Sequence, residues 1–241
     1  MKAAYIKQYG DVENLIVGDV PKPSISAYQV LIKVKAAGVN PVDFHIRNGM
    51  LEDSGTNELP LVLGWDAAGI VSEVGQHVTD FKLGDEVYVY SPLTEQGAHA
   101  EYLAVDANFV AHKPASFSFI QSAAVPLAAL TALQALTTHG ELQKGQQVLI
   151  HNASGGVGSF AVQIAKHMGA YVIATGSLAK KDFIMGLGAD EFIDYKQDDF
   201  EQHVSDMDLV FAVVGGNNIV ERSLVVIKTN GRLISLLDEI D

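Results

Sequence analysis

The 241-residue chain contains no cysteine. That absence excludes disulfides, thiolate nucleophiles and every thiolate zinc site together. It suits a reducing compartment, and a cytoplasmic location is expected. Positive charge is also scarce: 16 lysines and arginines stand against 29 acids, a formal charge of −13. A field of that sign repels phosphate backbones and anionic bilayers, so neither nucleic acid nor membrane is expected as a partner. An anionic ligand must then be held by locally placed cations and backbone N–H groups. Long hydrophobic runs are missing too. The longest apolar stretch, Ser122 to Leu136, contains Pro126 and falls short of the roughly 20 residues of a membrane span. It reads as a buried helix. Met1 to Leu15 lacks the continuous apolar core of a signal peptide.

What is present is ordinary globular material, 48% hydrophobic and 19% charged, enough for a sizeable core. Strand-length, β-rich runs fill the first half: Val30 to Val34, Ala68 to Val74, Glu86 to Tyr90 and Ala100 to Val105. Gly38, Asn48-Gly49, Gly64, Gly75, Gly84-Asp85 and Gly97 punctuate them. From about Ser122 the period changes. A helix over Val125 to Thr138 is followed by alternating strand and helix patterns. These are Gln147 to Asn152, Val157 to His167, Tyr171 to Thr175, Ala179 to Leu187, Glu191 to Tyr195, Asp208 to Val214, Asn217 to Ile227 and Arg232 to Leu237. Such alternation predicts an α/β fold with a parallel sheet covered on both faces. The expected division is residues 1–121 and 122–241.

The run Val148 to Asn152 leads into Ala153-Ser154-Gly155-Gly156-Val157-Gly158 and then a helix. This matches the dinucleotide fingerprint, with Ala153 in the first glycine place. A side chain at Gly155 would obstruct the pyrophosphate, and Gly158 lets the helix pack closely on the strand. The helix start offers free N–H groups and a positive dipole end. In NAD sites an acid at the end of the second strand bonds the ribose 2′-OH. Here that strand ends in Gly176-Ser177, with Lys180 and Lys181 nearby and no acid before Asp182. A missing carboxylate and a nearby ammonium both favour NADP(H).

The ordered series is highly specific: Gly38-Val39-Asn40-Pro41-Val42-Asp43, Gly64-Trp65-Asp66-Ala67-Ala68-Gly69-Ile70-Val71, Gly84-Asp85-Glu86-Val87, Ala100-Glu101-Tyr102, Leu130-Thr131-Ala132, Ser154 to Gly158, and Leu187-Gly188-Ala189-Asp190. It resembles the zinc-free quinone oxidoreductase-like branch of the medium-chain dehydrogenase/reductase superfamily. The resemblance implies a GroES-like catalytic and substrate domain, then a Rossmann dinucleotide-binding domain lacking its C-terminal end, with the active site in the cleft between them. It implies that Asn40 and Thr131 line the nicotinamide pocket and that Ser154, Gly155, Gly156 and Val157 hold the pyrophosphate. Ser177 and Lys180 would meet the 2′-phosphate, and Tyr195 would lie near the adenosine end. Lys180 is favoured over Lys181 by its spacing to Leu187-Gly188-Ala189-Asp190. Relatives continue into a last strand that often forms a dimer seam, so a homodimer is expected if such a segment follows.

Departures from the family matter equally. Zinc-dependent relatives carry a cysteine near Gly38 and a Gly-His-Glu motif; here the latter reads Gly64-Trp65-Asp66. A metal-free site must polarise a carbonyl by hydrogen bonds alone, which suits quinones and α,β-unsaturated carbonyls. Relatives place tyrosines at His45 and near Leu51. His45 is a candidate proton donor to a developing enolate, and a structural, loop-capping histidine is an equal alternative. Arg47 reads as a surface salt-bridging residue. Asp43 and Asp66 read as structural hydrogen-bonding groups. The expected function is an NADPH-dependent quinone or enone reductase; the alternative is an NADPH-binding but catalytically silent redox sensor or structural protein.

Overall fold

In the computed structural model, which describes residues 1–239, alternation in the first half produces strands with one apolar face. In Glu86–Tyr90, for example, Val87 and Val89 point inward while Glu86 stays exposed. The strands of this unit are β1 (Lys2–Ile6), β2 (Ile16–Asp19), β3 (Gln29–Ala37), β4 (Leu61–Val62), β5 (Asp66–Val74), β6 (Glu86–Tyr90), β7 (Tyr102–Asp106) and β8 (Val110–His112). They form two antiparallel sheets, β2-β1-β4 and β7-β3-β5-β6-β8. Val30, Ile32, Ala67, Val71, Val87, Val89, Leu103 and Val105 fill the core of the larger sheet. Two short helices belong here, α1 (Pro41–Arg47) and α2 (Phe119–Ala123). Because α2 packs on β3, β5 and β6, the first compact unit runs to Leu127.

The second unit, from Ala128 onward, alternates strand and helix. After α3 (Pro126–Gln134) come β9 (Gln147–Ile150), α4 (Gly156–His167), β10 (Tyr171–Gly176), α5 (Lys181–Gly186), β11 (Glu191–Asp194), β12 (Met207–Ala212), α6 (Ile219–Val226) and β13 (Ile227–Ser235). The strands form one parallel sheet in the order β11-β10-β9-β12-β13. That is the sequence 3-2-1-4-5 of a doubly wound dinucleotide-binding sheet. Val148 and Ile150 join one core layer with residues of α3, α4 and α5. Leu149 joins the opposite layer with Phe200, Val220 and Val226. The expected α/β architecture, an antiparallel β unit followed by a Rossmann-type sheet, is thus what the chain forms.

Some local expectations are corrected. Ser122 to Leu136 is not one buried helix: α2 ends at Ala123, and α3 starts afresh with Pro126, a residue suited to a first helical turn. Leu130 and Leu133 of α3 are exposed, whereas Ala128, Ala132, Ala135 and Leu136 are buried. The helical path continues past Gln134 as a π turn over Ala135–His139. Among the described residues, no helix is long and apolar enough to cross a membrane.

Candidate functional site

Ser154 to Gly158, Ser177, Lys180 and Tyr195 follow the carboxyl ends of β9, β10 and β11, neighbouring strands of the sheet, the end at which dinucleotides bind in such folds. β9 passes through His151 and Asn152, the latter at φ 50°, into the glycine loop. Gly155 is the N-cap of α4. The three glycines have different surroundings. A Cβ on Gly158 would lie 2.2 Å from the Asn152 carbonyl oxygen and 2.8 Å from Ala153 Cα, so only glycine lets α4 approach the loop this closely. At Gly155 it would meet the Asn152 side chain at 2.9 Å. At Gly156 it would meet nothing within 4 Å, and Gly156 is exposed. The open approach to the helix terminus is therefore at Gly156. Ser154 and Val157 flank it, both half-buried. The first N–H groups of α4 have no intrahelical partners and sit at the positive end of its dipole.

The end of β10 lies alongside. Ala153 N–H donates to the Thr175 carbonyl oxygen (3.0 Å), and Tyr195 N–H donates to that of Gly176 (3.2 Å). Ser177 caps a 3-10 turn, Leu178–Lys180. Lys180 is exposed, and Lys181 lies with Nζ 5.9 Å from the Phe192 ring centroid. Tyr195 is exposed just after β11. Main-chain hydrogen bonds thus tie the start of the glycine loop and the residue after β11 to the end of β10. Thr131 stands on α3, bordering a hollow of about 420 Å³ that Gln134, His139 and Leu233 to Leu236 also line. A hollow of about 550 Å³ in the first unit, lined by Val20, Pro21, Thr94, Gln96 and Tyr102, contains none of the candidates.

In the first unit, Asn40 is the N-cap of α1, followed by Pro41 at the first helical position. Its backbone N–H donates to Asp43 Oδ2 (2.8 Å), and its side-chain Nδ2 donates to Asp66 Oδ2 (2.9 Å). Asp66 Oδ1 accepts the Leu127 N–H (2.8 Å). Burial pushes the Asp66 carboxyl up to about 6; the Asn40 and Leu127 hydrogen bonds oppose that rise and the nearby Asp43 charge adds to it. Burial also raises Asp43, against the Asn40 N–H and His99. His99 Nε2 lies 2.9 Å from the Gly38 carbonyl oxygen and 3.9 Å from Asp43 Oδ2. The ring fits because position 64 is glycine: at φ +79°, a Cβ there would come within 2.2 Å of it. His45 is exposed on the outer face of α1, its ring 4.2 Å from that of Phe44. Arg47 makes no salt bridge among the described residues; its guanidinium donates to the Gly10 carbonyl oxygen (3.2 Å) and Asn48 Oδ1 (2.8 Å).

The donor set does not suit catalytic zinc. Trp65, standing where zinc-dependent relatives have histidine, is wholly buried with Ile6, Ile46, Leu61 and Leu63. Its indole N–H donates to the Glu95 carbonyl oxygen (3.1 Å). Among the described residues, no three His, Asp or Glu side chains are grouped to hold a metal ion.

Two features escape sequence reasoning. One is the orienting role of Asp66 toward Asn40. The other is His151, a buried ring at the end of β9 just before the glycine loop, signalled only as a polar residue ending the apolar run Val148 to Ile150.

A family model described as the alcohol dehydrogenase GroES-like domain matches residues 26–115, and one described as zinc-binding dehydrogenase matches residues 156–236. The 2-methylene-furan-3-one reductase of Solanum lycopersicum is 39% identical over 245 residues, covering 98% of this chain and 62% of the relative. The chloroplastic NADPH-dependent alkenal/one oxidoreductase of Arabidopsis thaliana is 38% identical, again over 98% and 62%. This chain therefore spans less than two thirds of either curated relative. The quinone oxidoreductase structure from Coxiella burnetii superposes with a TM-score of 0.89 at 37% identity, over 98% of this chain and 75% of that one. The two family matches, the pervasive identity and the shared fold establish that this chain belongs to the quinone oxidoreductase-like branch of the medium-chain dehydrogenase/reductase superfamily.

Proposed function

We propose that the chain forms the cofactor-binding and substrate-facing parts of an NADPH-dependent oxidoreductase that reduces quinones or α,β-unsaturated carbonyls without a metal. The observation that carries this is the loop after β9, with Gly158 packed against Asn152 and Gly156 open at the start of α4. It offers an anion a cradle of backbone N–H groups with no side chain in the way. The end of β10 supports NADP(H) over NAD(H). Gly176 and Ser177 stand where an NAD site has its acid, and Lys180 supplies an exposed cation. The description of the Arabidopsis relative as NADPH-dependent supports the same choice.

When bound, the nicotinamide supplies the hydride. Ser154 to Gly158 would hold the pyrophosphate, Ser177 and Lys180 would hold the 2′-phosphate, and Tyr195 would lie toward the adenosine end. Thr131, in the same unit, would meet the nicotinamide end. The carboxamide of Asn40 is held by Asp66, which accepts one of its two N–H groups and so fixes which end of the amide is nitrogen. His45 holds a proton for an enolate oxygen or carbon. Conjugated acceptors fit best, because hydride adds at carbon while the developing charge spreads onto oxygen.

The test follows NADPH oxidation by absorbance as a panel of quinones and enones is added, in chelator. Turnover that survives chelation is expected, with NADPH preferred to NADH. Tight NADPH binding with no turnover across the panel would favour the silent alternative, and loss of activity with stoichiometric zinc would overturn the metal-free reading.

A further inference from the structure

Strand alternation turns Leu149 toward the core layer containing Phe200 and Val220, and the next residue on that face is His151. An aliphatic side chain would fill this place without needing partners. The histidine instead is 2% exposed and bonded at both ring nitrogens. Nδ1 lies 3.2 Å from Thr175 Oγ1 and Nε2 lies 3.3 Å from Ser223 Oγ. The ring of Phe200 meets it edge-on at 4.7 Å. A neutral imidazole has one N–H and one bare nitrogen, so in either tautomer one hydroxyl accepts and the other donates. Thr175 and Ser223 are buried too, at 3% and 0% exposure.

The location gives this contact a consequence. His151 stands two residues before Ala153, where the glycine loop begins, and Thr175 immediately precedes Gly176-Ser177 and the turn bearing Lys180. The side-chain contact runs beside the main-chain bond from Ala153 N–H to the Thr175 carbonyl oxygen. The two candidate phosphate-binding segments are thereby joined twice at one level. We infer that His151, through Thr175, is a positioning residue that fixes the spacing between the pyrophosphate loop and the 2′-phosphate segment, and so sets the preference for a 2′-phosphorylated dinucleotide. This rests on reading those two segments as the dinucleotide site.

Thr175→Val removes the hydroxyl with little change of shape and suits a strand. Calorimetric binding of NADPH and NADH is compared for the full chain, Thr175→Val, Lys180→Ala and the double variant. Thr175→Val is expected to lower NADPH affinity relative to NADH by about three- to tenfold, and Lys180→Ala is expected to cost less in that background than alone. His151→Gln, whose longer amide reaches toward Ser223 rather than Thr175, breaks the same contact and should read the same if Thr175→Val does not fold. His151→Asn, whose amide can take the Nδ1 position, should keep most of the preference, as should Ser223→Ala. Equal loss for both cofactors, or strictly additive effects of Thr175→Val and Lys180→Ala, would show a merely structural role and overturn the inference alone. A wild-type chain that binds neither dinucleotide would overturn the proposed function and this inference together.

Discussion

Each unit buries an ionisable side chain behind a candidate site residue, and burial acts on the two in opposite directions. Asp66, 1% exposed behind Asn40, is pushed up to about 6. His151, just before the phosphate loop, is pushed down to about 4, by burial and by the Arg222 charge against the opposing Glu201. Both shifts favour the neutral form, as low polarity requires. The difference lies in what meets them. Two N–H donors converge on Asp66 and preserve its ionisation at neutral pH, whereas two hydroxyls meet His151 and ask only for a neutral ring. An oriented charge therefore backs Asn40 in one unit, and an uncharged tie backs the phosphate loop in the other.

The largest expected effect separates these two by pH. The folded first unit binds the Asp66 proton more tightly than the unfolded chain, whose reference value is 3.8. That contribution, about 3 kcal/mol, is present at low pH and lost as pH rises from about 4 through 6. For His151 the unfolded reference is 6.5, so the unfolded chain binds the extra proton. Its contribution, also about 3 kcal/mol, is present above pH 6.5 and lost as pH falls toward 4. The single tryptophan, Trp65, reports the first unit by fluorescence, and hydrogen exchange of α4 amides reports the second. Relative to wild type, Asp66→Asn should flatten the pH dependence of the first and His151→Gln that of the second, with slopes of opposite sign. Curves parallel to wild type for either variant would break the comparison.

Next in size is the 2′-phosphate contact. A charge-assisted hydrogen bond is worth about 1.5–3 kcal/mol, so Lys180→Ala should weaken NADPH binding roughly 10- to 100-fold and leave NADH nearly unchanged. Lys181, already turned over Phe192, should matter less. A larger loss from Lys181→Ala would move the site by one residue.

The glycines sharpen the contrast between packing and binding within one loop. Gly158→Ala forces a Cβ against backbone at 2.2 Å and should destabilise the second unit by about 1–3 kcal/mol. Gly156→Ala has open space, so stability should hold or rise slightly while dinucleotide affinity falls. Thermal unfolding and titration of the two variants check both arms; equal destabilisation would mean that Gly156 is structural as well.

How much of this was legible follows from range. The parallel sheet was readable because runs such as Val148 to Ile150 and Tyr171 to Thr175 carry their own pattern, and the glycine loop is local. β4, only two residues long, and β1, rich in alanine, carry too little pattern. The seven residues of α1 make only about two turns, too few for a repeating apolar face to stand out. Asp43 and Asp66 read correctly as hydrogen-bonding groups, but the contact that orients Asn40 joins residues 26 apart. His151 reaches partners 24 and 72 residues away, and no window of sequence displays such pairs. Arg47 was read as salt-bridging, yet the chain fold brings it the Gly10 carbonyl instead.

The smallest effect concerns His45, where a candidate proton donor lies on an open surface instead of in a buried network. A shielded general acid contributes about 10²–10⁴-fold, but water substitutes for one that solvent reaches. His45 is exposed and rests on Phe44, so His45→Ala should lower enone reduction by less than about tenfold. An enone leaves an enolate that needs a proton, whereas a readily reduced quinone depends less on a donor, so the quinone rate should fall less still. Cofactor affinity should not change, because the α1 residues turned inward are Asp43 and Ile46. Steady-state rates with one enone and one quinone, run across pH, decide the role. Equal losses on both substrates would assign the ring to holding α1 and its neighbouring turn. A selective enone loss would assign the ring to proton donation, and no loss on either substrate would overturn that role.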